Sequence, residues 1–124
     1  MSQLVEISGT RILLFACAGP LLASPPDSND FIGEAWSVSA DLLAIPVERL
    51  GPDVLNLRTR VGGEIFQKFA NYRLRCAIVG DITAALDASS ALRDFVRETN
   101  EGSALWFVPD VDQLRARLET ETAA

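Results

Sequence analysis

Ligand or substrate chemistry in this chain would fall to a few charged and small residues placed just after apolar runs. Glu48 and Arg49 follow the run at 42–47, Asp81 follows the run at 75–80, and Asp110 follows the run at 104–108. If these runs are parallel strands, their C-terminal ends share one edge, where α/β sheets gather their ligand-binding loops. Carboxylates converging there suit acid–base work, and arginine suits the orientation of an anion. The same carboxylates can equally cap loops and helices. Cys17, after the run at 11–16, would act as a nucleophile only if a base or a helix N-terminus lowered its pKa.

A second candidate is Gly62-Gly63 near a helix start, with Arg58 and Arg60 close in sequence. Free N–H groups and the helix dipole would favour an anion there. Alternatively, the glycines permit close helix packing. The pair is not a phosphate-binding P-loop, because the lysine and Ser/Thr of that motif are missing. The ligand-binding candidates are therefore Glu48, Arg49, Arg60, Gly62, Gly63 and Asp81. Lys68 and Tyr72, one helical turn apart, could polarise a substrate oxygen, but Lys68 bordering the apolar arc and Tyr72 burying its ring is the plainer reading.

The composition removes several chemistries. The chain has no histidine, so Ser-His-Asp and Cys-His activation are excluded, and a zinc site built from thiolates alone would need four where there are two. No metal, cofactor or catalytic residue is assigned. Cys17 and Cys76 lie in apolar runs and read as free thiols of a reducing compartment, which points to the cytoplasm. A net charge of −6 disfavours nucleic acid. The run before Cys17 is shorter than a signal-peptide core and reads as a buried strand, and no stretch suggests a membrane span.

The elements that must position these residues follow from periodicity. Alternation over 4–7 and a break at Ser8-Gly9-Thr10 predict an edge strand turning into a buried one. A helix should bury Phe31, Ile32, Ala35 and Trp36. Pro46 cannot donate to a ladder, so pairing of the 42–47 strand should end there. From about 60 to 73, Val61, Ile65, Phe66, Phe69 and Tyr72 share one arc, opposite Glu64, Gln67, Lys68 and Asn71, which predicts an amphipathic helix laid on a sheet. Gly63 and Ala70 form a narrow strip between the arcs. Residues 84–90 read as a loop whose Ser89 or Ser90 caps the next helix, and Asn100-Glu-Gly102 reads as a stop that tolerates the left-handed conformation. Trp106 belongs to a last buried strand, and Asp110 with Gln113 caps a final helix containing Val111, Leu114 and Leu118.

The order β-β-α-β-α-β-α-β-α predicts an α/β fold with a mixed, mainly parallel sheet of about five strands and helices packed on it. At 124 residues one domain is expected, over residues 1–118, with 119–124 a frayed acidic tail.

The string from Gly63 to Arg73 followed by Ala77-Ile-Val-Gly-Asp81 resembles a bacterial family, domain of unknown function 4180. The stretch from Leu92 to Gly102 and Trp106-Phe-Val108 are similar to the same family, so the resemblance covers most of the chain. It implies no catalytic residues. The element order is also similar to the STAS regulatory domains of anti-anti-sigma factors. Residues 45–51 depart from their Asp-Ser switch motif, so no phosphoserine switch is expected there. A noncatalytic binding or regulatory module is the leading expectation, taking a protein partner or a small ligand, with a homo-oligomer possible. The alternative is a small metal-independent enzyme using carboxylate or cysteine chemistry at the strand ends.

Overall fold

A computed structural model describes residues 2–123. Five strands form one sheet in the order β1-β2-β3-β4-β5: β1 (Gln3–Ile7), β2 (Thr10–Leu14), β3 (Leu42–Pro46), β4 (Arg75–Val79) and β5 (Leu105–Val108). β1 pairs antiparallel with β2 across the Ser8-Gly9 turn, and every other pair is parallel. The α/β fold and mainly parallel sheet read from the sequence are what the chain adopts. The β3–β4 ladder ends at Pro46 opposite Val79, as the missing proline N–H requires.

Side-chain alternation divides the sheet between two cores. The row Leu13, Leu43, Cys76 and Leu105 faces α1 (Ser28–Ser37), α2 (Val61–Asn71) and α4 (Ser90–Glu101). There Phe31, Ile32, Ala35, Ile65, Phe69, Leu92 and Val96 are buried against it. On the other face, Ile12, Leu42, Ala44, Ala77, Trp106 and Val108 pack under Leu114 and Leu118 of α5 (Val111–Ala123). Strands covered on both sides read as continuous apolar runs, which is why β3 is buried at every position. Among the described residues no helix is long and apolar enough to cross a membrane.

Several expectations need correction. The 84–90 loop is largely helical, α3 (Thr83–Ala88), started by an Asp81 turn that sequence periodicity over so few residues could not register. Ser89 caps α4 as expected, accepting from Leu92 N at 3.1 Å. Gly102 is extended rather than left-handed. Trp36, expected in the core, is 57% exposed; its neighbour Ala35 takes the inward position on α1. Tyr72 lies past the end of α2 and is 42% exposed, its ring meeting Trp36 edge-to-face. From Glu119 the chain continues in α5 to Ala123, and Glu121 accepts two bonds from Arg75, at 3.0 and 3.1 Å. Ala124 lies outside the described residues.

The far end of the sheet is held by cations on Trp106. The guanidinium carbons of Arg75 and Arg117 sit 4.7 and 4.3 Å from its ring centroid, while its indole N–H donates to Gly102 O at 2.7 Å. Asn100 closes the outer edge of β5: its Oδ1 accepts from Phe107 N at 2.7 Å, and its amide donates to Phe107 O at 3.3 Å. A side chain that satisfies both backbone groups of an edge residue blocks another strand from adding there.

Two adjacent glycines in α2 have opposite surroundings. A Cβ on Gly62 would lie 2.2 Å from the Val54 carbonyl oxygen, whereas one on Gly63 would meet nothing within 4 Å. Gly62→Ala should destabilise by about 2 kcal/mol or more through forced backbone movement. Gly63→Ala should stabilise by about 0.5–1 kcal/mol through helix propensity. Urea melts of the two variants check this, and equal midpoints would contradict it. On the same helix, truncation of the buried Phe69 to alanine should cost about 3–5 kcal/mol, and Glu64→Ala should stay within about 0.5 kcal/mol.

Candidate functional site

Arg49 ends a 3₁₀ turn, Val47–Arg49, that follows β3 directly. The turn sends its side chain inward, where it is 7% exposed. Nε donates to Pro20 O at 2.7 Å and Nη1 to Ala16 O at 3.0 Å. The guanidinium carbon lies 5.1 Å from the Phe31 ring centroid and 5.8 Å from that of Phe15. Gly19, at φ +146°, runs against the guanidinium so closely that a Cβ would stand 2.9 Å from Cζ. The backbone of Arg49 adds Leu22 N→Arg49 O at 2.7 Å, and Gly51 N→Leu22 O follows at 2.9 Å. Arg49 therefore holds the 16–23 segment onto the end of β3, and two of its donor groups face carbonyls of the chain rather than a ligand.

The other strand-end residues are also engaged locally. Asp81 Oδ1 accepts from Thr83 Oγ1 at 2.5 Å and from Thr83 N at 2.9 Å. The Thr83 hydroxyl, and then its N–H, hold this carboxyl below its ordinary pKa. Asp110 accepts from Gln113 N at 2.8 Å and so starts α5. Exposed Glu48 stands beside exposed Cys17, whose thiol donates to the carboxylate; that bond, with desolvation and the negative charge, raises the thiol pKa. Cys76 is buried in the core, and desolvation pushes its thiol far up. No three His, Cys, Asp or Glu groups among the described residues lie close enough to hold a metal ion.

Arg49 and Asp81 border different depressions, and Glu48 borders neither. Arg49 borders a depression with Phe15, Leu21, Asp30 and Glu34, while Asp81 borders a separate one with Ile82, Leu86 and Pro109. The order 1-2-3-4-5 has no reversal, the place where such sheets open a ligand crevice, and its crossovers lie on one face.

Arg60, Gly62 and Gly63 do come together, in a slot of about 180 Å³ between the start of α2 and α4. Its walls are Val54, Leu55, Leu57, Phe66, Leu92 and Phe95. Leu55 and Leu57 also border a wider cavity of about 660 Å³ reaching Arg58, Ala85 and Ser89. The segment between the slot and β3 is shaped by side-chain turns: Asn56 Oδ1 accepts from Arg58 N at 3.2 Å, and Thr59 Oγ1 donates to Asp53 O at 2.8 Å and accepts from Val61 N at 3.2 Å. Arg60 takes the left-handed conformation at φ 63°, and its carbonyl accepts from Glu64 N at 3.1 Å. Sequence reading missed the Leu55, Leu57 and Phe95 walls. The signal was an apolar residue at alternate positions in 55–57, obscured by the turn chemistry around it.

No curated protein and no solved structure matches this chain. A family model described as Domain of unknown function (DUF4180) matches residues 7–118, which is most of the sequence, and the protein belongs to that family.

Proposed function

We propose that the protein is a noncatalytic binding module for a small ligand with an apolar body and an anionic end, seated in the groove between the 52–63 segment and α3–α4. The observation that carries this reading is the pairing of an apolar slot with cations at its rim: Leu55, Leu57, Phe66 and Phe95 inside, Arg58 and Arg60 outside. Such a groove buries an alkyl or aromatic body, and an arginine orients a carboxylate or phosphate. A regulatory role of the kind STAS-like modules perform, in the cytoplasm, fits a ligand-responsive groove and two unpaired thiols.

The strand-end enzyme is the second reading, favoured by the exposed Cys17 beside Glu48. It ranks lower because the neighbouring carboxylate raises the thiol pKa and so disfavours the thiolate, which is the nucleophile.

Amide-resolved NMR titration with octanoate and with octanol tests the binding reading. Both should shift Leu55, Leu57, Gly63 and Phe95. Arg58→Ala/Arg60→Ala should weaken octanoate by about tenfold and leave octanol nearly unchanged, as loss of a charged contact does. Shifts confined to residues outside the groove, or equal losses for both probes, would contradict it.

A further inference from the structure

The outer face of α2 carries charges that make no ion pair among the described residues. Arg60, Glu64 and Lys68 follow at four-residue spacing, and Tyr72 completes the row. Among the described residues the ion pairs are Arg75–Glu121 and Arg97–Asp94, and neither uses this row. With Gly63, Gln67 and Asn71, the four side chains line a shallow, open depression along the helix. At its end Tyr72 meets Trp36 with ring centroids 5.3 Å apart, and both rings are exposed. Exposed aromatics in mutual contact, set in a polar surround, mark surfaces that a partner covers.

We propose that this face binds the same face of a second copy, α2 against α2 in antiparallel sense, about a two-fold axis level with Phe66. The row is self-complementary in that arrangement and not in a parallel two-fold one, which must be in register. Centred on Phe66, Glu64 comes level with Lys68 of the second copy, and Lys68 with Glu64 of the second copy. Arg60 comes level with Tyr72 of the second copy, so that a cation meets an aromatic ring at both ends. Parallel pairing in register would set Glu64 against Glu64 and Lys68 against Lys68, which repels.

The helix geometry agrees with this arrangement. At 100° per residue Glu64 and Lys68 lie on one flank of the outer face, and a two-fold axis of this kind brings like flanks together. On the opposite flank Gly63 comes nearly level with Ala70 of the second copy. Both are exposed, and a Cβ added to Gly63 would meet nothing, so the flank is low and the helix axes can approach closely. Gln67, joined to Asn71 at 2.9 Å, lies between the flanks. A patch that satisfies its own charges by rotation selects a second copy over an unrelated partner.

Sedimentation equilibrium of the full chain, from micromolar to near-millimolar concentration at low salt, tests the proposal. A reversible monomer–dimer equilibrium that weakens as salt rises is expected, since the pairs are at the surface. Glu64→Lys and Lys68→Glu each place like charges across the axis twice, and each should raise the dissociation constant by about tenfold or more. The combined variant Glu64→Lys/Lys68→Glu restores both pairs in exchanged form and should return the constant to within about threefold of the parent, the coupling that a double-mutant cycle reads. Thermal melts of all variants at concentrations where the parent is monomeric should match the parent. A chain that stays monomeric throughout would overturn the proposal. So would a dimer indifferent to both single reversals, which would place the contact elsewhere, for instance on the open edge of β1, or a combined variant no better than the singles.

Discussion

A guanidinium buried without an ion-pair partner sets the shape of the strand-end edge. Arg49 pays its desolvation with two carbonyl oxygens and two ring faces, an arrangement that tolerates a planar, delocalised cation far better than an ammonium. Because those carbonyls belong to Ala16 and Pro20, the charge cannot be solvated by the fold unless the 16–23 segment lies down on β3. Leu22 then bridges to Leu50, and Gly51 passes so close to Ala23 that a Cβ would stand 2.5 Å away. The edge that in many α/β sheets opens as a ligand crevice is here covered by the 16–23 segment over an internal cation.

That closure shifts concave surface to the helical side. With strand order 1-2-3-4-5, the crossover helices line up on one face, and a slot walled by α2, α4 and the 54–57 turn lies between them. The opposite face is sealed by α5, whose Arg117 joins Arg75 on the Trp106 ring. Both ends of the sheet thus use arginine on aromatic faces with carbonyl acceptors, Arg49 at the C-terminal edge of β3 and the Arg75/Arg117 pair beside β5. Both sets of cations donate to carbonyls of the chain itself. Arg58 and Arg60 remain at the groove rim, and the α2 row remains on the surface.

The fold was legible where a residue's own chemistry decides its place. Pro46 ended a ladder, Ser89 and Asp110 started helices, and uninterrupted apolar runs became strands covered on both faces. The candidate site was legible only in part. Sequence order placed Glu48, Arg49 and Asp81 after parallel strands, which is where they stand, but whether side chains converge is set by rotamer and loop path. Arg49 turned inward because Phe15, Phe31 and two carbonyls outcompete water for it, a contact spanning up to 33 positions in the chain. Asp81 found its partner two residues away, a local bond that always competes with a distant one. Trp36 misled for a related reason: the arc that holds it also holds Ala35, and the close α1 packing takes the smaller residue.

That Arg49 is an internal cation holding the strand-end edge is tested by the urea stability of Arg49→Lys and Arg49→Ala. Both should lose roughly 3–5 kcal/mol, as removal of a buried, hydrogen-bonded charge or its geometry does, because lysine cannot reach both carbonyls in one plane. Midpoints within about 0.5 kcal/mol of the parent, the range of ordinary surface substitutions, would show that the edge stands without the guanidinium and would contradict the account.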